Sequence, residues 1–321
     1  MREILAEYEI TTPMFIGGGD PQNVDLRPPS IKGVLRFWWR AMKWGDCLKE
    51  TDSELEALKK LHRLEADLFG SAATPGVDSG QARFFIKIKS FESGGIENNW
   101  PAGNQTGSAY LGYGLTDDDK KAIRLGKFTL SLVLKKSVTL DQEEQLEKVL
   151  KLWGFLGGLG SRSRRGFGSV AIRSLNHENF EFKDEKDYFK SISSLMDSFQ
   201  LAPEMPIFTA VNTDMTIVTL GQDTKDFQTL MNKLGASYKT GRQESGKGKD
   251  KIPFGLPLAK SDSSNRRSSP LFMHVHPIAS RSIGIVSFIP AHFHPRYEKG
   301  KELSFYQPVK SYLDKMVRVW P

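Results

Sequence analysis

The stretch KFTLSLVLKKSVTLDQEEQLEKVLKLWGFLGGLGSRSRRGFGSVAIR, residues 127–173, carries a strand, a helix, a glycine-rich loop and a second strand in that order. Phe128, Leu130, Leu132 and Leu134 alternate with other residues, the period of a strand over 127–135. Leu146, Val149, Leu150 and Trp153 recur at helical spacing, so a helix over 141–153 starts after Thr139. The glycine-rich loop runs from Gly154 to Gly168, and a strand at 167–173 closes the unit.

Upstream, residues 3–11 read as an opening strand, 31–49 as a helix with Ser30 as its N-cap, 53–68 as a second helix and 82–90 as a strand. The segment 93–126 is long, polar and glycine-rich, a surface insertion. With insertions set aside the order is strand, helix, strand, strand, helix, strand, the split βαβ or ferredoxin-like order. It predicts an antiparallel sheet with helices on one face, and many RNA-binding modules use the face left free. Downstream, a connecting helix at 186–199 precedes strands at 206–211 and 215–220 and a helix at 224–236. The polar stretch 237–269 reads as a long mobile loop. Strands at 271–276 and 283–289 and a helix at 303–317 complete a second, degenerate copy. The expected fold is α+β, with two tandem ferredoxin-like (RNA-recognition-motif-like) domains carrying insertions. They span residues 1–175 and 176–321.

Composition narrows the function classes. Hydrophobic residues make up 39% of the 321, enough to bury a core, and the net charge is +7. That mild basic excess permits a polyanionic partner. No apolar run approaches the ~20 residues of a membrane span, and the N-terminus lacks the apolar region of a secretory signal. A single cysteine, Cys47, excludes an internal disulfide, so the expected compartment is the cytoplasm, with no membrane partner.

Two clusters concentrate the positive charge. On a helical wheel of ~100° per residue, Arg36, Arg40 and Lys43 fall within about 80° of Lys32 on the first helix. Ile31, Val34, Leu35, Trp38 and Met42 occupy the adjoining apolar arc, and no carboxylate interrupts the cationic stripe. Trp39 sits on the border, where it is the better stacking candidate for a base, while Trp38 belongs to the core. The second cluster is the glycine-rich loop, with Arg162, Arg164 and Arg165 among Gly157, Gly158, Gly160, Gly166 and Gly168. Glycine lets backbone approach a ligand closely, and arginine offers a fork for phosphate and a plane for bases.

These segments carry a resemblance. The block Leu26-Arg-Pro-Pro-Ser-Ile-Lys-Gly-Val-Leu-Arg-Phe-Trp-Trp-Arg40, following Ile16-Gly-Gly-Gly-Asp20, resembles the family of first subunits of the Cmr complex. That complex is the RNA-guided type III-B CRISPR effector, and the wider group is the RAMP superfamily. Ser30–Arg36 is similar to the superfamily's helix start, Asp67-Leu-Phe-Gly70 to its Leu-Phe-Gly motif, and Gly157–Gly168 to its glycine-rich loop. Gly255-Leu-Pro-Leu258 and Arg266-Arg-Ser-Ser-Pro-Leu271 resemble the second-half signature of the same family.

The resemblance implies two RNA-recognition-motif-like domains and a non-catalytic role in antiviral defence. The implied partners are guide RNA near its 3′ end, target RNA and the other Cmr subunits. Carried onto matched positions, the RNA-binding residues are Lys32, Arg36 and Arg40 on the helix and Arg162, Arg164 and Arg165 on the loop, all lining one groove. Arg27 and the Gly17–Gly19 turn form its rim, and Arg266 and Arg267 add to it.

Other chemistry is weaker. The alternative activity is a metal-independent RAMP endonuclease that processes CRISPR RNA with a histidine base. His274/His276 and His292/His294 put two rings on one strand face, a spacing able to hold zinc or nickel, but no carboxylate or cysteine accompanies them. Gly241–Gly248 nearly spells a phosphate loop, yet no apolar strand leads into it. Asp117–Asp119 form an acidic cap before a turn. No cofactor and no metal are expected.

Overall fold

The computed structural model describes residues 2–17, 24–71, 80–97, 106–115, 121–221, 224, 226–258, 262–292 and 302–321. Gly18, Gly19, Asp117–Asp119 and His294 lie outside them.

Two antiparallel sheets organise the chain. The first holds β1 (Glu3–Ile10), β2 (Phe84–Ser93), β5 (Gly126–Leu134), β6 (Val170–Leu175) and β7 (Glu178–Asn179) in the order β2-β5-β1-β6-β7. The second holds β8 (Thr216–Thr219), β11 (Leu271–Ile278), β12 (Arg281–Phe288) and β13 (Val317–Trp320) in the order β11-β12-β8-β13. Numbering the four main strands of each half in chain order gives 2-3-1-4 in both. Short pairs β3 (Ile96–Glu97) with β4 (Ala122–Ile123), and β9 (Leu256–Leu258) with β10 (Asp262–Arg267), decorate them.

Helices α1 (Pro28–Lys49) and α4 (Leu140–Leu156) cover the inner face of the first sheet, where Ile4, Ala6, Tyr8 and Ile10 alternate with outward residues. Thr139 closes a capping box at the start of α4. At α1 the cap is Arg27, not Ser30. Pro28 and Pro29 fill the first helical positions, where a missing N–H costs nothing, and the helix starts earlier than expected. Helix α2 (Glu54–Phe69) is capped by Ser53 and lies against α1.

The second half departs further from the sequence reading. No strand forms at 206–211. The polar stretch 237–269 is ordered over most of its length. Helix α6 (Phe227–Glu244) runs through its start, a 3-10 turn follows at Gly248–Phe254, and β9 and β10 complete it. Ile252, Phe254 and Leu256 are buried and anchor it to the core. The helix expected at 303–317 is two short helical pieces, Glu302–Phe305 and Gln307–Leu313, and the chain then turns into β13.

Only the first sheet keeps a free face. The second is covered on both: Val218, Met273, Val275 and Val286 pack with α6, while Ile217, Ile283, Ile285 and Phe272 enter the core formed with α4 and α5 (Glu185–Asp197). The free face of the first sheet carries both signs of charge: Glu7, Glu9, Glu92 and Glu181 stand there with Lys127, Arg173 and Lys183, and Arg173 pairs with Glu9 at 2.5 Å.

His274 and His276 sit in the seam between the halves, fully buried. The Gly157 carbonyl can only accept, so His274 donates to it from Nδ1 at 2.8 Å. His274 Nε2 then accepts from His276 Nδ1 at 3.2 Å, and the His276 ring stacks on Tyr188 with centroids 4.1 Å apart. Burial keeps both rings neutral, which is the state this pairing needs. Burial pushes His274 down from its ordinary 6.5 to about 4. Below pH 6.5 the unfolded chain takes up a proton that the folded chain refuses. This stabilisation is complete above pH 6.5 and is lost as pH falls toward 4, by as much as about 3 kcal/mol. Urea melts at pH 7 and pH 4.5 should show the loss, and His274→Asn, which can still donate to Gly157, should shrink the difference while His276, also held down by burial, keeps the remainder.

Candidate nucleic-acid interface

The sequence-predicted cations do not line one groove: Lys32 and Arg36 line one cleft, Arg162, Arg164, Arg165, Arg266 and Arg267 line another, and Arg27 and Arg40 line neither. The first, about 630 Å³, lies between α1 and the edge strand β2 and is lined by Pro28, Lys32, Arg36, Phe69, Phe84 and Phe85 among others. Its charge is largely compensated. Glu65 on α2 is buried and receives Arg36 Nε at 2.8 Å and Arg40 Nη1 at 3.4 Å. Lys43 pairs with Asp46 at 2.8 Å. Lys32 alone of the stripe has no carboxylate partner among the described residues. Burial lowers its ammonium pKa, and repulsion from Arg36 lowers it further. Trp39 is buried and donates from Nε1 to Gln145 at 3.0 Å, so it is a core residue and no stacking surface. Arg27 turns back to donate to the Gly17 carbonyl at 2.9 Å.

The second cleft, about 1160 Å³, opens where the two halves meet. The glycine-rich loop brings Arg162, Arg164 and Arg165 to it, the β10 end brings Arg266 and Arg267, and α6 adds Arg242 and Tyr238. Tyr110 and Tyr113 come from the 93–126 insertion. No Asp or Glu is among the described residues that line it.

The loop's glycines serve the loop itself. A side chain on Gly157 would meet Trp153 and Trp38, and on Gly158 the backbone of Gly168. Gly160, Gly166 and Gly168 take positive φ angles, and a Cβ on Gly168 would overlap the Leu159 carbonyl. The glycines therefore pull the backbone inward, and the arginines are what faces the cleft.

Aromatic rings hold three of those arginines, Arg164, Arg165 and Arg242. Arg164 lies over Phe272 at 4.4 Å and Phe37 at 5.4 Å and donates to the Ser269 carbonyl at 2.9 Å. Burial, then repulsion from Arg267 and Arg165, lowers its pKa to about 10. Arg165 stacks over Tyr238 at 4.3 Å, and Arg242 approaches the same ring at 5.7 Å. Arg165 Nη1 and Arg242 Nε are buried without a hydrogen-bond acceptor. Arg267 donates to the His292 carbonyl at 3.0 Å, and Arg266 is exposed.

Positive charge held in place, partly desolvated and short of acceptors suits an anion with several oxygens. Arg242, Tyr238, Tyr110 and Tyr113 are the residues the sequence reading missed. Arg242 fell inside the Gly241–Gly248 segment set aside as a false phosphate loop, and that segment is the end of α6 and the turn after it.

Among the described residues no group of three or more His, Cys, Asp and Glu could hold a metal ion. His274 and His276 cannot reach a strand of RNA from inside the core. Among the described residues no helix is long and apolar enough to cross a membrane.

The family model of the RAMP superfamily matches residues 7–171, half of the chain, from β1 through the glycine-rich loop into β6. The chain belongs to the RAMP superfamily. This RAMP chain is 26% identical over 307 residues to the CRISPR system Cmr subunit Cmr1-1 of Pyrococcus furiosus, covering 84% of itself and 82% of that protein. It is 28% identical over 202 residues to the Cmr subunit Cmr1-2 of the same organism, covering 54% of itself and 97% of that protein. Its fold is similar to the crystal structure of Cmr1 from Pyrococcus furiosus in the apo form, with TM-score 0.62, 21% identity and coverage of 100% of this chain and 99% of that one. It is also similar to a chain of the type III-B Cmr-beta complex bound to cognate target RNA, with TM-score 0.57, 13% identity and coverage of 96% and 99%.

In this RAMP chain the α1 cations have a structural duty. Arg36→Gln combined with Arg40→Gln leaves the buried Glu65 carboxylate unpaired, a loss of about 1–3 kcal/mol. Thermal melts should show that drop, and adding Glu65→Gln should recover most of it.

Proposed function

We propose that this chain is a non-catalytic RNA-binding subunit of a type III-B CRISPR effector complex, acting in the cytoplasm in antiviral defence. It binds guide RNA near its 3′ end, target RNA, or both, and assembles with the other Cmr subunits. The single observation that carries the RNA-binding reading is the cleft of six arginines with no described carboxylate among its lining. The names of the similar proteins support the assignment to the complex. The shared 2-3-1-4 strand order supports reading residues 1–175 and 176–321 as two ferredoxin-like domains, with β7 reaching across the boundary to the first sheet.

Binding by such a cleft is electrostatic. Arg165 and Arg242 line the cleft, and the aromatic supports hold both guanidinium planes in place before RNA arrives. The protein reads backbone and shape, and sequence is read by pairing between guide and target.

The test is fluorescence anisotropy with labelled single-stranded RNA over a salt series. Each phosphate contact contributes ~0.7 to the slope of log affinity on log salt. Arg165→Gln with Arg242→Gln should weaken binding and flatten that slope by about 1.4. Lys32→Ala, in the other cleft, should change it by no more than one contact. Unchanged affinity in the double variant would overturn the reading.

A further inference from the structure

The arginine cleft contains one group that phosphate binding leaves unexplained. Tyr113 is 79% exposed, more than any other aromatic among the described residues, and it stands at the lip of that cleft. The six other aromatic rings beside the arginines or behind them are packed: Phe37, Phe272, Tyr238 and Tyr110 take part in ring or cation contacts, and Phe254 and Tyr312 close on Tyr238. No ring contact forms to Tyr113 among the described residues.

The backbone under Tyr113 is nevertheless fixed. The Leu115 N–H donates to the Gly112 carbonyl at 2.9 Å, which closes a four-residue turn with Tyr113 second and Gly114 third at φ +80°. A positive φ at the third position is what glycine supplies in a type II turn. Leu111 and Leu115, on either side, are buried. The Tyr113 carbonyl accepts from Arg162 Nη2 at 2.6 Å. The preceding helix, α3 (Gly107–Leu111), is docked on α6: the Ser108 N–H and hydroxyl both donate to Asn232 Oδ1, at 3.1 and 2.7 Å, and Gly107 and Gly235 meet backbone to backbone. Tyr110, on the same helix, accepts from Arg242 Nη1 at 3.0 Å. An anchored turn thus holds an unpacked ring toward solvent, beside Arg162.

We propose that Tyr113 is a base-stacking residue, and that the arginine cleft therefore takes unpaired nucleotides in preference to a duplex. The inference rests on the RNA-binding reading and deepens it. A ring at the lip meets the face of a base whose phosphates lie on the arginines within, and every base offers such a face. A base inside a duplex is already stacked on both sides and cannot present its face to a side chain.

The experiment compares the wild-type chain with Tyr113→Ala, Tyr113→Phe and the Arg165→Gln/Arg242→Gln pair. The probes are a fluorescein-labelled single-stranded oligoribonucleotide and the same strand annealed to its complement. Tyr113→Ala should weaken single-strand binding roughly ten-fold, with the salt slope unchanged. Tyr113→Phe should bind as the wild type does, and duplex binding should not respond to either change. Because the side chain is exposed, circular dichroism should report the same fold for all Tyr113 variants. If Tyr113→Ala binds the single strand like the wild type while the arginine pair loses it, stacking is overturned and RNA binding stands. If the arginine pair also binds like the wild type, the RNA-binding reading falls and takes the stacking inference with it.

Discussion

The seam between the two sheets is the constraint on which the rest of the molecule depends. Residues 157–169 close it. The Gly168 N–H donates to the Pro13 carbonyl, the Ser161 N–H to the Phe15 carbonyl and the Met273 N–H to the Arg164 carbonyl. The Thr11 hydroxyl spans the seam to the Val275 carbonyl at 2.7 Å, and His274 closes it from the other side on Gly157. A buried group without a partner is costly, so the Gly168 and Ser161 bonds fix the loop on the first half, and the Met273, Thr11 and His274 bonds specify how the halves sit. The glycines are there because the chain must run between two sheets with no room for side chains. The arginines reach the cleft because the loop has no other direction in which to send them.

That arrangement carries a cost in charge. Arg162, Arg164 and Arg165 lie within four residues of each other, and each of Arg162 and Arg164 has its pKa lowered, first by burial and then by neighbouring arginines. Natural surfaces usually interleave opposite charges, as the α1 stripe does through Glu65. The second cleft uses aromatic faces instead. A ring attracts a guanidinium without competing for its N–H groups, so the hydrogen-bonding capacity remains for a ligand.

Much of the architecture was legible in the sequence. The strand alternation of 127–135 and the helical spacing of 141–153 are dictated locally, and both elements form within a residue or two of their expected positions, though α4 runs on to Leu156. The failures share a cause, which is that tertiary contacts are invisible to periodicity. Trp39 looked like a border residue on the wheel because Gln145, its partner, is a hundred residues away. The stripe of α1 looked uncompensated because Glu65 belongs to another helix. The stretch 237–269 looked like a loop because its polar residues outnumber Ile252, Phe254 and Leu256, the three that tie it down. In the site, the arginine-rich loop was readable as a cluster, whereas Arg242 and the tyrosines join it only through folding.

The insertion that carries α3 leaves the first half and is clamped onto α6 of the second, and the cleft draws on residues from Tyr110 to Ser269. Such contacts of long sequence separation close late in folding and cost loop entropy before they return any stabilisation. A ribosome releasing this chain exposes the first sheet, with its core, well before α6 and β10 exist. The nascent protein thus carries the loop arginines from residue 165 until Ser269 is made without all the walls that aim them. The capacity to hold a polyanion arrives once α6 and β10 are in place, and a chain broken off before them carries the charge without the grip.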